Sequence, residues 1–390
     1  MRSGACARVS FDPLDQEMRF TDFARYEQIR EVGGIAWSDE HGGFWAVVDH
    51  DLVRAIAADD RRFVSSMGVR IPPNGTPPTF ALEYDRPRHT VHRRILTEAV
   101  GPRAAPTLEA RVRGHARRLL DEALACGGNR VDLGEDYAFR LSLDVMFDLI
   151  GAPPELKEEV EQLAEALFLY RTPLPDGSDP AHRLRQILED MVASRIAVRR
   201  DDWLGQIIAY RNDTELSLTE TEIHGAIVAL LVGGHHSTAR ATACLLARLA
   251  SDPTLQARLR AEPELIAVAA EETVRLHTPL RWFARTARAK VQLRDVTVRP
   301  GERVMLLYAG ANRDPAYFDT PDQFRLDRPK ANDHLAFGWG IHRCVGMPLA
   351  TLEIRVAVEE VLARTSCVCL EEEVAWTSST EPRQIPARFS

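Results

Sequence analysis

A glycine-rich segment near the carboxyl end of the chain places a cysteine in the setting of a metal ligand. In HLAFGWGIHRCVG, the run from Phe337 to Gly340 predicts a tight loop, because glycine lets a backbone approach another group closely. Cys344 follows, just before a helix start with Pro348 in its first turn, where proline is tolerated. Free backbone N–H groups at a helix start favour an anion. We therefore expect a lowered thiol pKa and a thiolate able to bind iron.

The other cysteines do not form a recognisable framework. Six cysteines in a chain of 390 residues are too few and too scattered for a set of disulfides, and most are expected to be plain thiols. Cys367 and Cys369 flank one residue in the alternating segment SCVCLEEEV, and a strand would put both on one face. No second cysteine or histidine pair follows nearby to complete a zinc site.

Composition and charge exclude several classes of protein. The net charge is -8 and no dense basic run occurs, which argues against a nucleic-acid partner. The first residues contain no long apolar run, so neither a signal peptide nor a membrane anchor is predicted. We expect a soluble, cytoplasmic monomer, large enough to bury a core and enclose a cofactor.

A long central helix dominates the predicted elements that must position the cysteine. It covers TEIHGAIVALLVGGHHSTARATACLLARLASDP, starting at Thr219 or Thr221 and stopping before Pro253. Its apolar composition predicts a buried position. A loop rich in proline and glycine is expected from Ser65 to Arg88, and a helix from about Met347 to Arg364.

The remaining pattern predicts a fold that is mainly α with a small β portion. The β-rich parts are expected at about 30–65 and 280–310, plus the C-terminal strands, and the helical parts at about 88–275 and 345–364.

The cysteine loop resembles the haem-binding loop of the cytochrome P-450 superfamily, F-x-x-G-x-x-x-C-x-G. Phe337, Gly340, Cys344 and Gly346 match this pattern, and Gly338 lies within it. The resemblance implies haem b with the Cys344 thiolate as axial ligand and Phe337, Gly338 and Gly346 against the cofactor. It implies one cytochrome P-450 domain over 1–390, with the haem buried between the long central helix and the Cys-ligand loop.

Further segments resemble the family in the same order along the chain. Glu272 and Arg275 in EETVRLHTP match its E-x-x-R and share one helix face, and Arg328 in FRLDRP would complete a buried ion-pair network. The resemblance also implies a set of groups that hold the haem propionates. These are His89 and Arg93 in DRPRHTVHRR, Arg285 in FARTA, and His342.

The central helix departs from the family pattern, which is A/G-G-x-D/E-T. This chain has Gly233-Gly234-His235-His236-Ser237-Thr238 at that place. The two glycines fit a backbone close to haem and oxygen. His236 replaces the acid and can relay protons near neutral pH, while Ser237 keeps the hydroxyl. A shift of register by one would make Thr238 the alcohol instead.

The implied activity is that of a haem-thiolate oxidoreductase. It would hydroxylate or otherwise oxidise a small organic molecule, in secondary metabolism, with O2 and electrons from a ferredoxin and ferredoxin reductase. The exchanged acid keeps other chemistry open: peroxide use, aromatic coupling, or transfer of a nitrogen species of the nitrene type. A non-catalytic haem-binding sensor is the alternative of another class. Arginines expected to help dock an acidic ferredoxin are Arg86, Arg88, Arg94 and Arg343.

The resemblance places substrate contacts on several separate segments, and their side chains predict an apolar, aromatic-rich pocket. The residues expected there are Phe80, Leu82, Phe168, Tyr170, Ala229, Leu280, Trp282, Phe283 and Ser379. Arg281 is a candidate for meeting a substrate carboxylate.

Overall fold

The architecture is described from a computed structural model, which covers residues 7–15, 17–73, 77–170, 174, 176–378 and 381–390. The helices are α1 (Met18–Glu31), α2 (His50–Ala58), α3 (Arg88–Val100), α4 (Ala105–Gly127), α5 (Arg140–Ile150), α6 (Lys157–Ala164), α7 (Pro180–Ala197), α8 (Trp203–Ala209), α9 (Glu220–Ser251), α10 (Pro253–Ala261), α11 (Leu265–His277), α12 (Tyr308–Ala311) and α13 (Met347–Arg364). The strands are β1 (Ile35–Ser38), β2 (Phe44–Val47), β3 (Phe63–Val64), β4 (Arg130–Asp132), β5 (Trp282–Ala287), β6 (Val291–Leu293), β7 (Val296–Val298), β8 (Arg303–Leu307), β9 (Val368–Leu370), β10 (Ala375–Ser378), β11 (Glu381–Gln384) and β12 (Pro386–Phe389).

Helix α9 is the centre of the helical part and has the predicted limits. The Thr219 side chain accepts from the Glu222 N–H while the Glu222 side chain accepts from the Thr219 N–H, so both ends of a capping box are present. The helix ends at Ser251, directly before α10 begins with Pro253. Helices α5, α11 and α13 pack around α9 and bury most of its length. None of the helices in the described ranges combines the length and hydropathy that a membrane-spanning segment requires.

The β portion is small and lies mostly beside the helical core, which confirms the predicted mainly α fold class. A five-stranded sheet has the order β1-β2-β8-β5-β3, in which β2 and β8 run parallel and the other neighbours antiparallel. Separate apolar clusters cover its two faces, one around Trp45 and the other around Tyr26. A three-stranded sheet, β4-β12-β9, and two hairpins complete the β structure of the described residues.

The segment between β3 and α3 has no helix or strand in its described part, in keeping with the predicted loop from Ser65 to Arg88. This segment is nevertheless ordered by side-chain contacts. Asp85 accepts from the Ser65 N–H at 3.0 Å, and Glu83 accepts from the Thr79 N–H at 2.8 Å. The loop therefore has its own polar framework beside the N-terminus of α3.

A carboxylate on α11 organises the segment that leads to the cysteine loop. Both Glu272 oxygens accept from Arg275, at 2.8 and 2.9 Å, and from Arg328 Nε, at 2.8 and 3.1 Å. All three side chains are almost completely buried. Burial opposes the carboxylate charge, but the hydrogen bonds from Arg275 and Arg328 outweigh it and lower the pKa of Glu272.

The same arginines bind backbone carbonyls of the following segment. Arg275 Nη1 donates to Asn312 and Pro321, each at 2.8 Å. Arg328 Nη2 donates to Gln323 at 2.6 Å. The ion-pair network therefore fixes the chain from 312 to 328, immediately before the cysteine loop.

Replacing Glu272 tests this network. We expect Glu272→Gln to lower the free energy of unfolding by about 3–5 kcal/mol, because two buried guanidinium groups lose their counter-charge. Denaturant unfolding measures the change. The control is Glu262→Gln, which breaks an exposed pair with Arg258 (N···O 3.5 Å) and should cost less than about 1 kcal/mol. Equal costs for the two variants would contradict the role given to Glu272.

Candidate active site

The cysteine loop is held by short backbone hydrogen bonds and by two glycines. The Cys344 N–H donates to the Phe337 carbonyl at 2.7 Å and the Gly338 N–H to the Leu335 carbonyl at 2.8 Å. Gly338 and Gly340 have φ values of 66° and 71°, a conformation that favours glycine. A Cβ on Gly340 would lie 2.4 Å from the Ala57 carbonyl oxygen, so this loop rests directly on the end of α2.

Cys344 has an exposed surface, yet the surrounding protein is dense enough to disfavour a charged sulfur. Burial raises the pKa of its thiol, and this effect outweighs the N–H groups of Gly346 and Met347 and the nearby Arg93, which lower it. The prediction of a lowered pKa is therefore wrong for the protein alone, because the helix start compensates only part of the loss of hydration. A bound cation is the remaining partner that would stabilise the thiolate.

Cationic and imidazole groups lie on the same side as this cysteine. His89 and Arg93 are one turn apart on α3, and the His89 and His342 rings are 4.5 Å apart between centroids. His342 Nε2 lies 3.1 Å from Ser65 Oγ. Arg285, on β5, is buried, and its charge acts on His342. The structure thus brings together the four groups predicted to hold the propionates.

These groups have unused donor capacity. His89 Nε2 is buried and has no hydrogen-bond partner among the residues that the structure describes, and no hydrogen bond or ion pair of the Arg93 side chain is found there either. Burial and neighbouring arginines lower the pKa of His89, and burial with Arg285 lowers that of His342 to about 3. Two buried carboxylates would be suitable acceptors for such donors.

Gly233 and Gly234 lie on different sides of α9. A Cβ on Gly234 would be 2.3 Å from Met146 Sδ on α5, whereas one on Gly233 would meet no atom within 4 Å. Ser237, one turn further on, donates from Oγ to the Gly233 carbonyl at 3.3 Å and is partly exposed. Thr238 is 4% exposed and lies in the core. Ser237 therefore shares the open face of the helix with Gly233, and Thr238 does not.

The two histidines between these residues are buried side by side, with ring centroids 4.4 Å apart. Neither His236 nitrogen has a hydrogen-bond partner within the described part of the chain. His235 Nε2 lies 3.7 Å from Glu161 Oε1, beyond hydrogen-bond range. Burial, His235 and Arg240 lower the pKa of His236 to about 2, so its imidazole is neutral at neutral pH.

A polar link between α13 and α9 carries no signature in the sequence. Glu353 on α13 is buried and contacts the Ser142 hydroxyl. Burial raises the pKa of the Glu353 carboxyl well above its ordinary value. Ser142 Oγ in turn donates to the His235 carbonyl at 3.1 Å and lies 3.3 Å from that of Gly234. The helix behind Cys344 is thereby joined through a neutral acid to the glycine segment of α9.

Charged residues on β11 approach the same part of α9. Arg240 Nη2 pairs with Glu381 at 2.8 Å, and Arg383 pairs with Glu135 and Glu165 at 2.6 and 3.2 Å. Both arginines act on His236, whose pKa they help to lower. Spacing along the sequence could not have shown this cluster, because its members come from four separate elements.

Several predicted substrate contacts have other surroundings. Phe80 belongs to the helical core, with its ring stacked on His92 at 3.8 Å between centroids. Trp282 and Phe283 point to opposite faces of the five-stranded sheet, where they border its two apolar clusters. Arg281 pairs with Asp22 at 3.3 Å, so its expected contact with a substrate carboxylate is corrected to a structural ion pair.

The other predicted pocket residues are partly exposed or outside the description. Leu82 and Ala229 are partly exposed, and Leu280 is 41% exposed. Ala229 lies one turn before Gly233 on α9, on the same side of the helix. The side chains of Phe168 and Tyr170, and the whole of Ser379, lie outside the described residues.

The arginines expected at a docking surface already have partners in the chain. Arg88 binds Glu222 and the Ser217 carbonyl. The remaining three are Arg86 with Asp60 at 3.0 Å, Arg94 with Glu98 at 3.4 Å, and Arg343 over the Trp339 ring at 5.6 Å. Among these arginines, Arg88 has its charge compensated by a carboxylate of the α9 capping box, while its part in docking stays a prediction.

Comparison with known proteins shows the family of this chain. The family model of cytochrome P450 matches residues 184–385. The mycinamicin IV hydroxylase/epoxidase of Micromonospora griseorubida is 32% identical over 94% of this chain and 94% of its own length. The cytochrome P450 monooxygenase PikC of Streptomyces venezuelae is 31% identical over 93% and 89%. The chain belongs to the cytochrome P450 family, whose members are haem-thiolate monooxygenases.

A solved relative shows the same fold over nearly the whole length. P450BioI, in complex with an acyl carrier protein ligated to hexadec-9Z-enoic acid, superposes with a TM-score of 0.84 and 26% identity, covering 96% of this chain and 100% of that one. The residues of this chain fit the family's haem. Cys344 offers a sulfur ligand, His89 offers a buried donor and Arg93 a partly buried one, and Gly233 leaves space beside α9.

Two glycine substitutions in the cysteine loop distinguish the cost of a backbone clash from the cost of a left-handed φ. Both Gly338→Ala and Gly340→Ala put a side chain at a left-handed φ, but only the second drives a Cβ into a backbone carbonyl. We expect Gly340→Ala to lower the free energy of unfolding by about 1–3 kcal/mol more than Gly338→Ala. Denaturant unfolding of both holoproteins measures this, and the reverse order would contradict the contact with α2.

Acidification tests the buried state of His236. Its pKa is about 2 in the folded protein against about 6.5 unfolded, so the unfolded chain binds the proton first. Its contribution to stability is complete above about pH 6.5 and is lost as the pH falls toward 2, by up to about 1.4 kcal/mol per pH unit. His236→Leu should flatten the fall in melting temperature between pH 7 and 5. The exposed control His182→Leu should not, and an unchanged slope in His236→Leu would refute the assignment.

Proposed function

We propose that this chain is a haem-thiolate monooxygenase that adds oxygen from O2 to a small organic molecule, with electrons from a ferredoxin and its reductase. One observation carries the proposal. Two backbone N–H groups lie at the Cys344 sulfur, and in the same group of residues His89 Nε2 is buried without a hydrogen-bond partner among the described residues. A haem held by a thiolate and by contacts to its propionates would use such donors.

Each group on this side has a separate role in the proposal. Cys344 would hold the haem through its sulfur, and the N–H groups of Gly346 and Met347 would keep this sulfur oriented and partly compensate its charge. Arg93, His89, Arg285 and His342 would bind the propionates. Bound haem supplies the iron that activates O2 for transfer to carbon.

On α9, Ser237 is proposed to hold the proton that the reaction consumes. Its hydroxyl already donates to the Gly233 carbonyl, on a face of the helix where a Cβ on Gly233 would meet no atom within 4 Å. His236 takes the place of the family's acid but is neutral, and its role is to keep this wall of the site uncharged. Thr238, buried in the core, takes no part.

The substrate class is proposed from the relatives and from the open face of α9. Mycinamicin IV hydroxylase/epoxidase is named for oxidation of a secondary metabolite, and this chain matches it over almost its full length. Ala229 and Gly233 give the wall small, apolar surfaces, so binding would depend on shape and apolar contact more than on charge. Arg281, engaged with Asp22, supplies no carboxylate recognition.

Spectroscopy of the reduced holoprotein tests the ligand. Carbon monoxide should produce the red-shifted Soret band of a thiolate complex in the wild type and in Cys369→Ser, whose thiol is exposed on β9. Cys344→Ala should lose that band. A band that survives Cys344→Ala would overturn the assignment.

Turnover tests the reaction. With a substrate chosen by its effect on the haem spin state, and with ferredoxin, reductase and reduced nicotinamide, product formed per O2 consumed should fall about a hundredfold in Ser237→Ala and stay near wild type in Thr238→Val. Equal losses would reject Ser237 as the proton-holding group. Product formed with peroxide alone would favour the alternative haem-thiolate chemistries. A spin shift without product under either condition would favour a sensor.

A further inference from the structure

A tight turn in the segment between β3 and α3 has a conformation that its own residues do not favour. The Leu82 N–H donates to the Thr79 carbonyl at 3.1 Å and closes the turn. Ala81, the third residue of the turn, has a φ of 60°, at a place where glycine or asparagine is ordinarily found. An alanine remains in this conformation only when the surrounding structure holds it there.

The imidazole of His92, which is completely buried on α3, makes one of the contacts that hold Ala81. Its Nδ1 accepts from the Ala81 N–H at 3.2 Å, and its Nε2 lies 2.8 Å from Glu222 Oε1 on α9. Because Nδ1 is an acceptor, the proton of the neutral ring is on Nε2, which donates to Glu222. Burial lowers the pKa of His92 to about 4 even though Glu222 opposes the change, so this neutral form is present at neutral pH. One side chain thus ties the turn to two helices.

The aromatic ring before Ala81 is held by the same histidine. Phe80 is buried and stacks on His92, with ring centroids 3.8 Å apart and an interplanar angle of 18°. Phe80 also reaches α9, since a Cβ on Gly225 would lie 3.6 Å from Phe80 Cβ. Leu82, the last residue of the turn, is partly exposed. Phe80 is therefore the buried anchor of the turn, and Leu82 is the side chain that the turn leaves accessible.

The turn lies next to the two elements that carry the proposed site. Gly225 and Gly233 are eight residues apart on one side of α9, which corresponds to about 12 Å along the helix axis. The Ala81 carbonyl acts on His342 in the cysteine loop. Burial lowers the pKa of His342 to about 3, and this carbonyl is among the groups that oppose the lowering. A molecule about 12 Å long, bound beside Gly233, would therefore reach the turn.

We propose, on the basis of the haem-thiolate function proposed above, that His92 is a positioning residue for the substrate. By holding Ala81 it fixes Leu82 at one end of the Gly233 face of α9, and the fixed Leu82 sets which molecules fit beside the haem. His92 itself touches neither the substrate nor the haem. Its effect should appear as selectivity for the size of a ligand rather than as loss of the haem or of its sulfur ligand.

Two substitutions of His92 separate its two hydrogen bonds. In His92→Asn, the amide oxygen takes the position of Nδ1 and still accepts from the Ala81 N–H, whereas the bond to Glu222 is lost. In His92→Gln, the longer amide reaches Glu222, and the Ala81 N–H is left without this acceptor. Both variants lose the ring that stacks on Phe80, so the difference between them reports the Ala81 bond alone.

Two nitrogen ligands of the haem iron, imidazole and 4-phenylimidazole, serve as the small and the large probe. Each holoprotein is titrated with both, and the dissociation constants are taken from the shift of the Soret band. The Kd of 4-phenylimidazole should rise about tenfold in His92→Gln, because its phenyl ring loses a preorganised contact with Leu82, and less than about threefold in His92→Asn. The Kd of imidazole should change less than about twofold in both variants. The exposed control His182→Gln should match the wild type with both probes.

Leu82→Ala provides a second test that does not depend on the folding of a buried variant. It should raise the Kd of 4-phenylimidazole about tenfold with His92 intact and leave that of imidazole unchanged. Equal weakening by His92→Asn and His92→Gln, an equal loss of affinity for both probes, or no effect of Leu82→Ala would each overturn the proposal. Absence of the carbon monoxide band from the wild type would instead refute the haem-thiolate function.

Discussion

The proposed function requires a negative charge on the Cys344 sulfur, whereas the surrounding protein favours the neutral thiol. The chain meets part of that requirement with two N–H groups at the start of α13 and with Arg93. Partial charges of this kind act only over short distances and in a fixed direction. The surrounding structure must therefore fix the position of the backbone around Cys344. Gly340 resting on α2 and the Glu272 network holding 312–328 both serve this control.

Helix α9 handles charge differently. It has the neutral His236 where the family pattern has an acid, and carboxylates from other elements compensate the charges of Arg240 and Arg383. The ion pairs therefore lie beside α9 and leave little net charge on the face of the helix with Gly233 and Ser237. Glu353 and Ser142 connect this helix to α13, so that displacement of either helix is transmitted to the other.

Local patterns predicted the elements well where a local interaction decides them. The limits of α9 follow from a capping box and a proline, and both lie within a few residues of the helix ends. The partners of Glu272 were predicted from the family resemblance, whose ordered motifs placed Arg275 and Arg328 in a buried network with this carboxylate.

The remaining features depend on contacts between distant residues, which no spacing rule contains. The stacking of Phe80 on His92 and the pairing of Arg281 with Asp22 changed the predicted pocket in this way. The pKa of Cys344 was predicted in the wrong direction because a helix start is visible in the sequence, whereas the depth of burial is a property of the assembled fold. Glu353 was missed because a lone glutamate on a helix is ordinarily a surface residue.

The contact of Gly340 with Ala57 also constrains how the protein is made. The two residues are far apart in the sequence, so the cysteine loop has no surface to rest on until α2 is in place. Contacts of such large sequence separation form late, because loop closure must come first. During synthesis from the amino end, the cysteine loop emerges after α2 and after the long central helix α9. We therefore expect haem to bind late in folding rather than to nucleate it.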